Sequence, residues 1–172
     1  MSKIYLVLAG TNLGFIILSA TLGLLSKEEY QVELHVLIAV FTALTSCLVQ
    51  IVAFMYFSIT GKLISQAVLI GKLSHDPIHQ SKVYRRTATR WVGILITSLI
   101  PVVATGANRW GGGADNSVHL LLVCIMLAVH ILVFTKQFPL IGMNHKLMEA
   151  TMKDYREKRP RKSTPEADAV TS

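Results

Sequence analysis

The stretch HVLIAVFTALTSCLVQIVAFMYFSITG, residues 35–61, contains no Asp, Glu, Lys or Arg. An α-helix rises about 1.5 Å per residue, so about 20 apolar residues cross the roughly 30 Å hydrocarbon core of a bilayer. Inside a bilayer the backbone must satisfy its own hydrogen bonds, which a helix does within one segment. Residues 35–61 therefore predict a transmembrane helix.

Three further apolar blocks lie at about residues 4–25, 88–107 and 117–136. The whole chain of 172 residues is 52% hydrophobic and 16% charged, whereas a soluble domain carries about 25% charged residues. This composition excludes an ordinary soluble globule, and it also excludes a disordered chain, which needs low hydrophobicity. The sequence thus predicts an all-α integral membrane protein, a bundle of four transmembrane helices.

Basic residues are distributed unevenly between the connections. Fourteen Lys and Arg lie in residues 62–90 and after residue 135, against only Lys27 and Arg109 in the other two connections. Because Lys and Arg are retained in the cytoplasm, both termini are predicted to be cytoplasmic. We expect a bacterial cytoplasmic (inner) membrane. The formal net charge of +7 is then a topology signal, so the lipid bilayer is a predicted partner and nucleic acid is not.

The segments outside the spans are also predicted to be organised. Residues 62–87 predict a cytoplasmic helical hairpin that extends the second and third helices, with a break at Ser74-His75-Asp76-Pro77. Residues 141–155 predict a short amphipathic helix on the membrane surface. The transmembrane domain is taken as residues 1–148, and residues 149–172 as a disordered basic cytoplasmic tail. No internal repeat is visible.

A polar stripe marks one face of the second span: His35, Thr42, Ser46 and Gln50. In the fourth span His119 and His130 are 11 residues apart, as are His35 and Ser46, which keeps each pair on one helical face. We therefore predict that spans two and four touch, with His35 facing His119 and Ser46 facing His130. Asn12 of the first span is expected to reach this polar seam.

Buried polar residues of this kind admit three interpretations. The first is a fastening between helices, because polar side chains hydrogen-bond across a membrane bundle. The second is one b-type haem with His35 and His119 as axial ligands. The third is a quinone, lipid or metal site using His35, His119 and Glu33. His130 is a further candidate for binding a haem or a quinone. The sequence identifies no cofactor among these.

The predicted function follows from what the spans carry. They hold no intramembrane acid or strong base and no nucleophile with a matching base, which argues against a pump or an enzyme. We predict a small polytopic inner-membrane protein that serves as an accessory or structural subunit or as a small binding bundle. An electron-transfer module is the alternative. The pattern Gly10-x-x-x-Gly14 is expected to contact other subunits or a second copy.

Overall fold

The structure, a computed structural model, describes residues 2–25, 29–110 and 116–158, and its regular elements there are four helices. They are α1 (Ser2–Leu25), α2 (Glu29–Gly71), α3 (Asp76–Trp110) and α4 (Asn116–Lys158). All four are long and apolar enough to cross a membrane. The prediction of an all-α chain with four helices of this kind is therefore confirmed.

The four helices form a bundle in which chain neighbours lie side by side. Both α1 and α3 contact α2 and α4, and α2 also touches α4 across the bundle. Within the described ranges the backbones of α1 and α3 do not approach each other closely, so these two helices occupy opposite corners. Buried positions recur at seven-residue intervals, which are typical of helix bundles: Tyr5, Asn12 and Ser19 in α1, and Ser81, Ala88 and Leu95 in α3.

A tight turn joins α2 to α3 where the sequence placed the helix break. Lys72 adopts a left-handed backbone with φ 47°, and the Leu73 N–H donates to the Val68 carbonyl at 3.0 Å. This is the hydrogen bond of a Schellman cap, which normally favours glycine at the left-handed position. The short turn keeps the ends of α2 and α3 together beyond the apolar segments.

The fourth helix is longer than the sequence predicted. α4 runs unbroken for 43 residues through Pro139 and ends at Lys158. The prediction of a separate amphipathic helix at 141–155 on the membrane surface is therefore wrong. Residues 149–158 are helical too, which corrects the predicted disorder there, and residues 159–172 lie outside the described ranges.

Packing against α2 and α3 explains why α4 continues. The Asn144 amide nitrogen donates to the Thr60 hydroxyl at 2.7 Å. Ile141 belongs to an apolar cluster with residues of α2 and α3. The Tyr155 ring lies so close to Gly71 that a Cβ there would be 2.9 Å from it. Tertiary packing supplies most of a helix's stability, so these contacts explain why α4 stays helical here. The extension is therefore a unit of three helices and not a hairpin of α2 and α3 alone.

We predict that Gly61→Leu loosens this three-helix extension. A Cβ at Gly61 would lie 3.3 Å from the Ser81 hydroxyl oxygen on α3, and a leucine adds three further carbon atoms beyond it. We expect destabilisation by about 1–3 kcal/mol, the usual effect of overpacking, measured by thermal unfolding in detergent. The control is Gly93→Leu, because Gly93 faces open space. Equal melting of both variants would contradict the close approach of α2 and α3.

Candidate functional site

Three side chains from three helices form a hydrogen-bonded chain across the interior. The Tyr5 hydroxyl donates to Gln137 Oε1, and Gln137 Nε2 donates to Gln50 Oε1 at 3.0 Å. All three residues are buried, and Gln137 is 0% exposed. This chain, called here the glutamine layer, ties α1, α4 and α2 together. Gln50 was a predicted seam residue, whereas sequence reasoning missed Tyr5 and Gln137.

A second polar layer lies between α1 and α2. Asn12 Oδ1 accepts from the Ser46 hydroxyl at 3.0 Å and from the Thr45 hydroxyl at 3.1 Å. The Thr42 hydroxyl donates to the Ile38 carbonyl of its own helix at 2.7 Å. Asn12 thus contacts the seam residue Ser46, as expected. Ser46 therefore bonds to α1, whereas it was expected to face His130 of α4. We call Asn12, Thr45 and Ser46 the asparagine layer.

A third layer fastens α2 to α4 beyond the glutamine layer. The Asn144–Thr60 bond is its centre, and the Tyr56 hydroxyl donates to the Ile141 carbonyl at 3.5 Å. Asn144 Oδ1 is buried and has no hydrogen-bond partner among the described residues. Sequence reasoning missed this layer. The sequence nevertheless contains a signal for this layer. Polar residues recur at every seventh position of α4, and all of them are buried: His130, Gln137, Asn144 and Thr151.

His35 contacts α1. Its Nδ1 donates to the Ser19 carbonyl at 2.9 Å. The ring lies against Gly23, where an added Cβ would be 2.8 Å from the ring carbon Cε1. Glycine at this position lets α1 accommodate the imidazole. His35 therefore fastens α2 to α1.

His119 makes the equivalent contact on the other hairpin. Its Nδ1 lies 3.0 Å from the Thr105 hydroxyl of α3, with which it forms a hydrogen bond. Its ring lies against Gly106, where a Cβ would be 3.2 Å away. Because α1 and α3 are at opposite corners, these contacts direct His35 and His119 to opposite sides of the bundle. The prediction that the two histidines face each other is wrong.

A haem does not fit this arrangement. A bis-histidine haem needs both imidazoles to present a nitrogen to one iron from opposite faces of the porphyrin. His35 and His119 are instead held at the α1–α2 and α3–α4 interfaces, each against a glycine. As to the metal interpretation, the described residues contain no group of three His, Cys, Asp or Glu that could hold a metal ion. The quinone interpretation stays a prediction.

His130 is the one predicted site residue that keeps an available atom in the interior. Its Nδ1 donates to the Met126 carbonyl at 2.9 Å, so in the neutral ring Nε2 is an acceptor. The residue is 6% exposed, and Nε2 has no partner in the described part of the chain. Ser46, its predicted partner, bonds to Asn12 instead. His130 therefore offers a buried lone pair to a hydrogen-bond donor.

The class of protein rests on this architecture alone. No known protein family, curated protein or solved structure matches the chain. Four helices long and apolar enough to cross a membrane suggest an integral membrane protein. Hydrogen bonds between polar side chains inside such a bundle act together with close packing to hold membrane helices in a fixed pairing.

We predict that two matched substitutions on one face of α4 differ in their effect on stability. Gln137→Leu leaves the Tyr5 hydroxyl and the Gln50 carbonyl oxygen buried without partners, so we expect destabilisation by about 1–3 kcal/mol. His130→Leu removes an acceptor that has no donor, so stability should be unchanged or higher. Both are measured by thermal unfolding in detergent. A loss at His130→Leu comparable to that at Gln137→Leu would mean that Nε2 has a bound donor.

Proposed function

We propose that this chain is an integral membrane protein whose four helices cross the cytoplasmic (inner) membrane of a bacterium. One observation carries the proposal: the distribution of side chains is inverted relative to a soluble protein. Along α2, Leu37, Leu44 and Ile51 are each more than half exposed, whereas Ser46 and Gln50 are buried. Exposing apolar surface to water costs about 25 cal/mol per Å². Lipid removes that cost, and it also makes inward-facing polar groups favourable.

We propose that both termini lie in the cytoplasm. Among the described residues, the start of α1, the α2–α3 connection and the end of α4 lie at one end of the bundle, and the Lys and Arg of the chain are concentrated there. The positive-inside rule places that end in the cytoplasm. The extensions of α2, α3 and α4 would then form a cytoplasmic three-helix unit.

This topology predicts the outcome of reporter fusions. Fusions after Lys72 and at Ser172 should report the cytoplasm, and a fusion after Gly112 should report the outside, because Lys- and Arg-rich connections stay inside. The protein should also resist extraction of membranes with alkaline carbonate. A periplasmic signal at Ser172 would contradict an even number of crossings, and release by carbonate would contradict insertion.

We further propose that the protein is an accessory or structural subunit or a small binding bundle and not an enzyme. The glutamine layer and the Asn144–Thr60 bond support the subunit form, because their side chains are mostly engaged with one another. The buried Nε2 of His130 supports the binding form, because it leaves one acceptor available to a ligand.

The surface of α1 supports a partner in the membrane. Gly10 and Gly14 are exposed and have nothing within 4 Å of where a Cβ would be. Val7 and Ile17, on the same outward face, are 65% and 51% exposed. Small residues four apart let a second helix approach closely. We propose that this face binds another subunit or a second copy of the chain.

Substitutions on this face should separate association from folding. Because both glycines face open space, Gly10→Ile with Gly14→Ile should leave the melting temperature unchanged but abolish co-purification of a partner from native membranes. Gly93→Ile on α3, which also faces open space, is the control and should keep the partner. Wild-type protein that purifies alone as a monomer would contradict the association, and a haem absorption band would contradict the non-redox role.

A further inference from the structure

Contacts between helices fix which residues lie at the same level of the bundle. Four of them set the register: Tyr5 with Gln137, Thr60 with Asn144, Gly61 with Ser81, and Gly106 with His119. Two independent routes can be compared at Ser81. Thr60 is level with Asn144, so the next residue of α2, Gly61, and its contact Ser81 are level with residue 145 of α4. Counting from the Gly106–His119 contact, back along α3 and forward along the antiparallel α4, makes Ser81 level with residue 144. The routes agree within one residue.

This register gathers basic residues from all four helices into one zone. Eight exposed side chains fall between the levels of residues 135 and 146 of α4, a height of about 16 Å at 1.5 Å per residue. We call them the basic belt: Lys3, Lys62, Lys82, Arg85, Arg86, Arg90, Lys136 and Lys146. In the sequence these residues are scattered, and only the register brings them to one level.

The belt contains no compensating acid. At its level the described chain has no Asp or Glu on any of the four helices. Beyond it lies the tip of the extension, residues 64–79 and 147–158, in which charges balance. The tip carries four cations and four acids: Lys72, Lys153, Arg156 and Lys158, with Asp76, Glu149, Asp154 and Glu157. Part of this balance is local, as in the 3.9 Å pair of Lys153 and Glu157.

The belt also borders the apolar part of the bundle. A helix segment of about 20 residues spans the hydrocarbon core, and counting that length back along α4 from Lys136 ends near His119. The His119 and His35 rings mark the opposite end of the apolar zone. A cationic zone at this position coincides with the headgroup region of one leaflet, if the chain is inserted as proposed.

We propose that the basic belt is a docking surface for anionic phospholipid headgroups. The inference rests on the proposed membrane insertion. Guanidinium groups bind phosphate oxygens through paired N–H donors, and ammonium groups bind them as point charges. The described residues place eight cations and no carboxylate at that level, so we assign the role of counterion to the lipid. The tip has no such excess and takes no part.

The test compares two triple variants that lose the same charge. The belt variant carries Arg86→Gln, Arg90→Gln and Lys136→Gln, on the adjacent helices α3 and α4. The tip variant carries Lys72→Gln, Lys153→Gln and Arg156→Gln. Each full-length protein is reconstituted into vesicles of four parts phosphatidylcholine to one part phosphatidylglycerol. Spin-labelled lipids of each type then report how strongly the first lipid shell prefers the anionic headgroup.

We expect wild type and the tip variant to prefer phosphatidylglycerol, by about fivefold for each cation in contact. The belt variant, which keeps five of the eight cations, should show a weaker preference than the tip variant. High salt should remove the preference from wild type, because the Debye length shortens to about 3 Å near 1 M. Equal losses in both variants would assign the effect to net charge and overturn the belt. If inorganic phosphate removed the wild-type preference for phosphatidylglycerol and chloride at equal ionic strength did not, the site would be one for free anions. That result would also overturn the proposal.

Carbonate extraction of the same vesicles separates this proposal from the proposed function. Protein that stays inserted but shows no anionic preference overturns the belt alone. Protein that carbonate releases overturns membrane insertion and the belt with it. Thermal unfolding in detergent shows that each variant is folded, and a belt variant that does not fold is replaced by Arg86→Gln with Arg90→Gln, both on exposed positions of α3.

Discussion

A polar side chain enclosed among apolar helices must find its hydrogen-bond partner within the protein, and this requirement sets the register of the bundle. Gln137 meets Tyr5 on one side and Gln50 on the other. Sliding α4 by one turn, about 5.4 Å, would break both bonds and leave three buried polar groups unsatisfied. Each such group costs about 1–3 kcal/mol. The Asn144–Thr60 bond, seven residues further along α4, enforces the same register a second time.

The sequence was sufficient for the spans and insufficient for the end of α4, for a physical reason. Hydropathy is a local property, so four apolar blocks predict four helices without knowledge of their neighbours. The continuation of α4 past Pro139 depends on the surfaces of α2 and α3, which a local pattern does not contain. In the sequence, the fourth apolar block ends at Lys136. Of the polar residues spaced by seven on α4, only His130 lies inside that boundary. Extending the heptad count across it would have found Gln137 and Asn144.

For the two histidines, the sequence predicts the level along the bundle but not the neighbouring helix that each ring contacts. Counting residues correctly placed His35 and His119 near one end of the bundle, because helical rise converts sequence distance into depth. It could not say which neighbour each ring contacts, since that depends on which helices share a corner. Gly23 and Gly106 determine which helix each ring contacts, because a side chain at either position would occupy the space of the imidazole. Glycine near the end of an apolar helix was a signal that the sequence contained.

The glutamine layer and the basic belt meet at one level of the bundle. Among the described residues α1 reaches Ser2 at this end, whereas α2, α3 and α4 extend further as the three-helix extension. Lys136 of the belt immediately precedes Gln137 of the glutamine layer, and Lys3 stands two residues before Tyr5. Headgroups bound at the belt would therefore lie beside the same turns of α4 and α1 whose hydrogen bonds set the register.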